Sequence, residues 1–247
     1  MKKKRIVLVL VALMLVFAAT PVLAQGGDGI VWSSAYQIQN LESQDANVHI
    51  IYYEQSGGTY EGDITVPANG SKTIFPFVSG DGITSGPATF NGSAVLSSDK
   101  QIAAILNTQT GAGSSSFYGA ATKGFSEGAT SLSLPLIVCN NSGFDTWFNI
   151  QNVSSAVANV TVEYVPGLYG TAGLSDTLTI DPYLAKTLDQ AANSTTNTKD
   201  CDVLKDGSGR FIGSAKITSN EPVVASAMFL GTGSIKTVQG YNAFTAG

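Results

Sequence analysis

The sequence predicts an all-β protein in which a signal peptide precedes two tandem β-sandwich domains. Three observations support this prediction: a basic and then apolar N-terminus, a long internal repeat, and short strand-like runs separated by turn residues. We expect residues 1–24 to be the signal peptide, residues 25–124 the first domain and residues 129–247 the second. Domains of roughly 100 residues are large enough for one hydrophobic core each.

The N-terminus has the three parts of a secretory signal peptide. Residues 2–5 are all basic, residues 6–19 are uncharged and mostly apolar, and residues 22–24 place small side chains around a cleavage site. The apolar run is shorter than the roughly 20 residues that a membrane-spanning helix needs. We therefore expect the mature chain to begin near Gln25 and to contain no membrane span. The alternative is an uncleaved N-terminal anchor.

Charge argues against two classes of partner. Four of the 13 basic residues lie in the predicted signal peptide and none of the 18 acidic residues do, so the mature chain has a formal net charge of −9. Such a chain is poorly suited to bind nucleic acid or an anionic membrane surface. Its many Gly, Ser, Thr and Asn residues are typical of extracellular β-proteins with numerous turns.

The two cysteines, Cys139 and Cys201, are predicted to form a disulfide, because an even pair in an oxidising compartment is usually bonded. The bond would stabilise the second domain by about 4 kcal/mol in the chain-entropy model. A zinc site would need further ligands. The only histidine, His49, lies in the other half, so no metal and no other cofactor is predicted.

An internal repeat divides the chain into two similar parts. Residues 36–53 align without gaps on residues 148–165, and three later segments keep their order in both copies. These segments are Ile64-Thr-Val with Leu178-Thr-Ile, Lys72-Thr-Ile with Lys186-Thr-Leu, and Phe90-Asn-Gly-Ser-Ala with Phe211-Ile-Gly-Ser-Ala. A fifth match joins Tyr118-Gly-Ala to Tyr241-Asn-Ala. The repeat therefore predicts two copies of one domain, with loops of different length.

Comparison of the two copies predicts which strand faces are buried. Within residues 48–53, the positions in phase with Val48 are apolar in both copies, whereas those in phase with His49 are replaced freely. Strict alternation places the two sets on opposite faces of a strand. The Val48 set is therefore predicted to be core, and His49 to point outward as a satisfied or solvated surface histidine. Val95 is also predicted to point outward, because Lys216 replaces it.

Strand-like runs recur at intervals of roughly 8–12 residues, a spacing typical of a β-sandwich. Several strings resemble an Ig-like sandwich repeat of secreted bacterial surface proteins, notably those of filamentous, Chloroflexota-type bacteria. The strings are Leu134-Pro-Leu-Ile-Val, Trp147-Phe-Asn-Ile-Gln-Asn-Val, Val160-Thr-Val-Glu-Tyr, Gly213-Ser-Ala-Lys-Ile-Thr-Ser and Tyr241-Asn-Ala-Phe. The resemblance covers nearly the whole mature chain. It implies an Ig-like fold and a cell-surface location, and it leaves the function unassigned.

Sequence motifs of enzymes are absent: there is no nucleophile elbow, P-loop or dinucleotide-binding glycine motif. A Ser-His-Asp or Cys-His arrangement would have to use His49, which is predicted to lie on an outer strand face. We therefore predict no catalytic residue and no enzyme. A hydrolase with paired carboxylates from distant strands stays open as a third choice.

Two binding hypotheses remain. Asp200, Asp202 and Asp206 bring three carboxylates into seven residues and could bind Ca²⁺, but the ligand pattern is incomplete, and an acidic turn beside the disulfide is favoured. The second hypothesis is a carbohydrate- or ligand-binding module, in which sugars would stack on outward-facing rings. Its candidate rings are Tyr53, Tyr60, Tyr169 and Tyr183.

One asymmetry between the copies suggests assembly. Residues 129–138 supply an apolar strand before the second copy, whereas the same offset before the first copy falls at the end of the signal peptide. Unless residues 29–32 replace it, the mature first domain lacks a strand and exposes unpaired backbone groups. One hypothesis is that such an edge accepts a strand from another chain, giving head-to-tail association in filaments or a surface layer. A closed domain with a short first strand is favoured over this hypothesis. The sequence thus favours a structural or adhesive cell-surface protein.

Overall fold

The computed structural model describes residues 7–11, 32–87, 90–110, 118–190, 199–231 and 237–245, and within them it is all-β, as predicted. The N-terminal half contains β1 (Val7–Val11), β2 (Trp32–Asn40), β3 (Ala46–Glu54), β4 (Thr59–Val66), β5 (Ser71–Ile74), β6 (Gly92–Ser98), β7 (Ile102–Thr110) and β8 (Gly119–Lys123). The C-terminal half contains β9 (Ala129–Cys139), β10 (Phe144–Asn152), β11 (Ala158–Tyr169), β12 (Leu174–Ile180), β13 (Ala185–Asp189), α1 (Cys201–Leu204), β14 (Phe211–Gly231), β15 (Thr237–Asn242) and β16 (Phe244–Thr245).

Each half has two groups of antiparallel strands. In the N-terminal half, β1, β6, β3 and β4 form one sheet, and β5, β2, β7 and β8 form the other. In the C-terminal half, the first part of the 21-residue β14 pairs with β9 and β11, and its second part pairs with β10 and β15. β14 therefore takes the places of both β6 and β7, and it joins the two sheets that the N-terminal half keeps separate.

Strand pairing follows the repeat in every aligned segment except the last. The fifth match, Tyr118 with Tyr241, is wrong: Leu106 pairs with Thr122, and Ala227, which is equivalent to Leu106, pairs with Tyr241. Thr122 is therefore the equivalent of Tyr241, four residues after the matched tyrosine. A short Tyr-x-Ala match cannot fix a register that is determined by pairing with the preceding strand.

Each half has its own hydrophobic core, and the predicted alternation in β3 is confirmed. Val48, Ile50 and Tyr52 are buried, as are their counterparts in β11, while His49 lies on the opposite face. Val95 lies on the face opposite the core residues Ala94 and Leu96, as predicted. It is nevertheless only 4% exposed, on a strand that is paired on both edges.

A buried asparagine ends the strand that begins each copy of the repeat, Asn40 in β2 and Asn152 in β10. The Asn152 amide donates at 2.7, 3.1 and 3.2 Å to the carbonyls of Ala156, Ile180 and Asp181. The Asn40 amide donates to the equivalent carbonyls, those of Gln44, Val66 and Pro67. Each side chain thus ties the loop that leaves its own sheet to the end of a strand in the other sheet.

Two buried tyrosines meet in the N-terminal core. The hydroxyls of Tyr36 and Tyr52 are 2.6 Å apart, and both side chains are fully buried. Burial raises the pKa of both phenols above the ordinary value, because an ionised phenolate would lose its hydration. In the C-terminal half, Phe148 replaces Tyr36, and the Tyr164 hydroxyl instead donates to Asp176.

The predicted disulfide between Cys139 and Cys201 is present, with the two Cα atoms 5.4 Å apart. It fastens the end of β9 to the start of α1, and both cysteines are buried in the C-terminal core. The bond closes a loop of 62 residues, for which loop entropy gives about 4 kcal/mol of stabilisation.

A third apolar cluster joins the two halves. The rings of Trp32 and Trp147 meet edge to face, with centroids 6.1 Å apart. The other buried members are Tyr118, Met228, Leu230 and Val238. At the rim of this contact, the Asn242 amide donates at 2.9 Å to the Lys123 carbonyl. The halves are therefore packed on each other rather than merely linked by residues 124–128.

Replacing Asn152 with Ala is expected to lower the free energy of unfolding by about 2–3 kcal/mol, because it removes three hydrogen bonds made by a fully buried side chain, one of them to the carbonyl of the buried Ile180. Asn159→Ala, at an exposed position of the next strand, is the matched control and should change stability little. Urea unfolding monitored by circular dichroism measures both. Equal stability of the two variants would contradict this role of the Asn152 side chain.

The tyrosine pair predicts instability in alkali. Burial raises the folded-state pKa of each phenol. The contribution of the two tyrosines to the free energy of unfolding is therefore complete below the unfolded pKa of about 10, and it is lost as the pH rises above that value. Tyr36→Phe, combined with Tyr52→Phe, should flatten the fall in unfolding free energy between neutral and strongly alkaline pH. Tyr183→Phe is the control. An unchanged slope in the double variant would show that other groups cause the loss.

Candidate functional site

The outer edge of β6 is the main candidate site, because the strand paired to it lies in the predicted signal peptide. The backbone of β1 runs antiparallel to β6 and pairs with all five residues from Ala94 to Ser98. On its other edge, β6 pairs with β3. With β1 in place, the sheet has four strands; without it, β6 would be an edge strand with free backbone groups.

In the C-terminal half, β9 holds the same position on β14. Leu134 pairs with Ala215 and Leu132 with Ile217, and these two partners are the equivalents of Ala94 and Leu96. β1 uses the same register, since Val11 pairs with Ala94 and Val9 with Leu96. Leu132 and Leu134 are buried in the C-terminal core. The strand at this position is thus part of the fold of the C-terminal half and not a surface addition.

Among the described residues of the N-terminal half, β1 is the only strand that pairs with the edge of β6 opposite β3. The predicted cleavage site and Gln25 lie outside the described residues, as do residues 29–31, and Trp32 belongs to β2. A mature chain that begins at Gln25 would lack Val7–Val11, and with it the strand that pairs with residues 94–98 in this structure.

His49 points outward, as predicted, and it has two carboxylate partners that the sequence did not indicate. Its Nδ1 lies 2.9 Å from Asp63 Oδ1 and its Nε2 lies 3.6 Å from Glu61 Oε2, both on β4. Ser97 pairs with His49 from the other neighbouring strand, so a serine, a histidine and an aspartate lie in one row. Both ring nitrogens nevertheless approach carboxylates on the side away from Ser97. The imidazole is therefore not oriented as the base of a nucleophilic serine.

The four tyrosines considered for sugar binding all have partners within the chain. Tyr53 and Tyr183 stack on each other across the two halves, with centroids 5.3 Å apart. The guanidinium of Arg210 lies 4.4 Å from the centre of the Tyr169 ring. The outward position predicted for Tyr60 is wrong: its ring packs against the N-terminal core, because it shares a face with the buried Ile64.

The acidic turn beside the disulfide is held by capping and turn hydrogen bonds. Asp200 caps α1 by accepting from the Asp202 N–H, and Asp202 pairs with the Lys205 ammonium at 2.7 Å. Asp206 accepts from the Ser208 hydroxyl and from the Gly170 N–H, which lower the pKa of its carboxyl. Within the described ranges, no group of three or more His, Cys or acidic side chains is arranged to hold a metal ion.

No protein-family model matches the chain, and no curated protein matches it. A partial structural similarity links it to the crystal structure of Thermotoga maritima 1070, which is 17% identical. The match covers 48% of this chain and 96% of that chain, with a TM-score of 0.37. A similarity of this strength carries no argument about function.

The described part of the chain contains no helix with the length and apolar character that a membrane span requires.

Proposed function

We propose that this chain is a secreted structural component of the cell surface, built from two Ig-like β-sandwich domains, whose first domain takes up a strand from another copy. The observation that carries the proposal is the pairing of β1 with β6 in the register that β9 uses on β14. The first domain is completed by a segment that we expect to be removed on export. Another chain would then have to supply the missing strand.

The physical reason for strand uptake is the cost of leaving this edge empty. Residues 94–98 would lose a hydrogen-bonding neighbour on one edge of β6. In the second domain, the strand at this position also buries Leu132 and Leu134, and burial of one such side chain is worth roughly 1.5–3 kcal/mol. A donated apolar strand would supply both contributions, which is the basis of β-augmentation.

Export is supported by two independent features. The basic and then apolar N-terminus has the pattern of a signal peptide, and the Cys139–Cys201 disulfide suits an oxidising compartment. Both features support an extracellular or cell-surface location. The alternative of a glycan-binding module has weaker support, since each of its four candidate rings has a partner in the chain.

A chain with a built-in first strand tests the proposal. In the variant, residues 130–143, with Cys139→Ser, replace residues 25–31 of the mature protein, so that β9 and its turn to β10 are copied in front of β2. We expect the mature protein to associate in light scattering. We expect the filled variant to associate at least tenfold more weakly, because its edge is already paired.

The matched control carries the same insertion with Leu132→Asp and Leu134→Asp within the copied strand. This insertion has the same length but cannot bury its inward positions, so association should stay at the level of the mature protein. The proposal fails if the mature protein is monomeric at high concentration, or if the filled variant and its control associate equally.

A further inference from the structure

The contact between the two halves of one chain covers the central part of one sheet face of the C-terminal half. On the outer side of β10, β13 and β14, four polar side chains are at most 8% exposed: Asn149, Gln151, Thr187 and Ser226. The N-terminal half covers this face with residues near the ends of β3 and β6. Ser93 Oγ donates at 2.8 Å to the Tyr183 carbonyl, and Gln55 Nε2 donates at 3.1 Å to Thr187 Oγ1.

The equivalent face of the N-terminal half is uncovered. We call it the β2 face, and its central side chains are Gln37, Gln39, Thr73, Phe75, Ala103 and Ile105. By the repeat and the strand registers, Gln37 corresponds to Asn149, Gln39 to Gln151, Thr73 to Thr187 and Ile105 to Ser226. All six side chains are exposed, including 46% of Phe75 and 43% of Ile105. A groove of about 400 Å³ crosses part of this face.

The surface that would complete such a contact also lies exposed, at the end of the C-terminal half. Val165 is the equivalent of Tyr53, the residue through which the N-terminal half stacks on Tyr183. Val165 is 43% exposed and Leu168, close by on the same strand, is 73% exposed. The second half thus presents an apolar end where the first half makes its contact, and nothing in the described part of the chain covers either residue fully.

We propose that the C-terminal half of one copy docks on the β2 face of a second copy and repeats the contact that the N-terminal half makes within the chain. The occupant is a second copy because the chain itself shows the geometry of the contact. The residues that line the groove are uncharged, so a strongly acidic chain can approach another copy there without local repulsion. A contact between two different surfaces is heterologous, so it repeats from copy to copy and produces either a closed ring or an open filament.

This contact goes beyond strand uptake at β6, since it uses a different surface, and the two can be tested separately. A photo-crosslinking phenylalanine analogue is placed at Ile105 of the full mature chain. The matched control carries it at Thr65, which is exposed on the other sheet of the same half. We expect Ile105 to form intermolecular cross-links to residues 165–168 of another copy, mapped by mass spectrometry, and Thr65 to form none there.

The substitution Ile105→Glu should weaken association at least tenfold, whereas Thr65→Glu should not. The inference fails if the mature protein associates but Ile105 forms no cross-link to residues 165–168, or if both glutamate variants behave alike. If the strand-filled variant no longer associates and the mature protein forms no such cross-link, strand uptake is supported and the face contact is rejected. If the filled variant still forms the cross-link and associates as strongly as the mature protein, the face contact is supported and strand uptake is rejected.

Discussion

Each half of this protein has an apolar strand paired to one edge of a central strand, β6 in the N-terminal half and β14 in the C-terminal half. In the C-terminal half this strand is β9, which inserts Leu132 and Leu134 into the core and ends in the disulfide. Removing it would expose the core and leave one edge of β14 without hydrogen bonds. The pairing therefore joins local structure to core formation: the same strand satisfies backbone groups and buries apolar side chains.

The two halves meet this requirement differently. β9 follows the N-terminal half directly and is an integral part of the chain, whereas β1 lies within a segment with the features of a signal peptide. The run from Val7 to Val11 consists only of valine and leucine, and such residues suit both an apolar export segment and a β-strand. If cleavage follows export, the first domain becomes competent for strand exchange only outside the cell, which would couple assembly to secretion.

The sequence was most informative where two copies could be compared. Alternation placed the Val48 face in the core and His49 outside, because burial acts at every second position of a strand. It could not show the carboxylates beside His49, since neighbours across strands depend on register. Tyr60 was misplaced although it alternates in phase with the buried Ile64. Val95 lies on the predicted face but is buried, because substitution by Lys216 indicates tolerance in the second copy rather than exposure in the first. The N-terminal half packs on a sheet face of the C-terminal half, whereas the equivalent β2 face is exposed. This difference depends on how the two halves pack, and it could be seen only in the structure.

Hydrogen exchange on exported protein, with its N-terminus determined by mass spectrometry, tests the central claim most directly. The amides of residues 94–98 that point away from β3 should exchange rapidly in dilute, monomeric protein and slowly at concentrations where copies associate. Amides in the equivalent stretch of β14, which β9 covers, should be protected under both conditions. Protection of residues 94–98 that does not depend on concentration would mean that the mature chain closes this edge itself, and it would contradict the account.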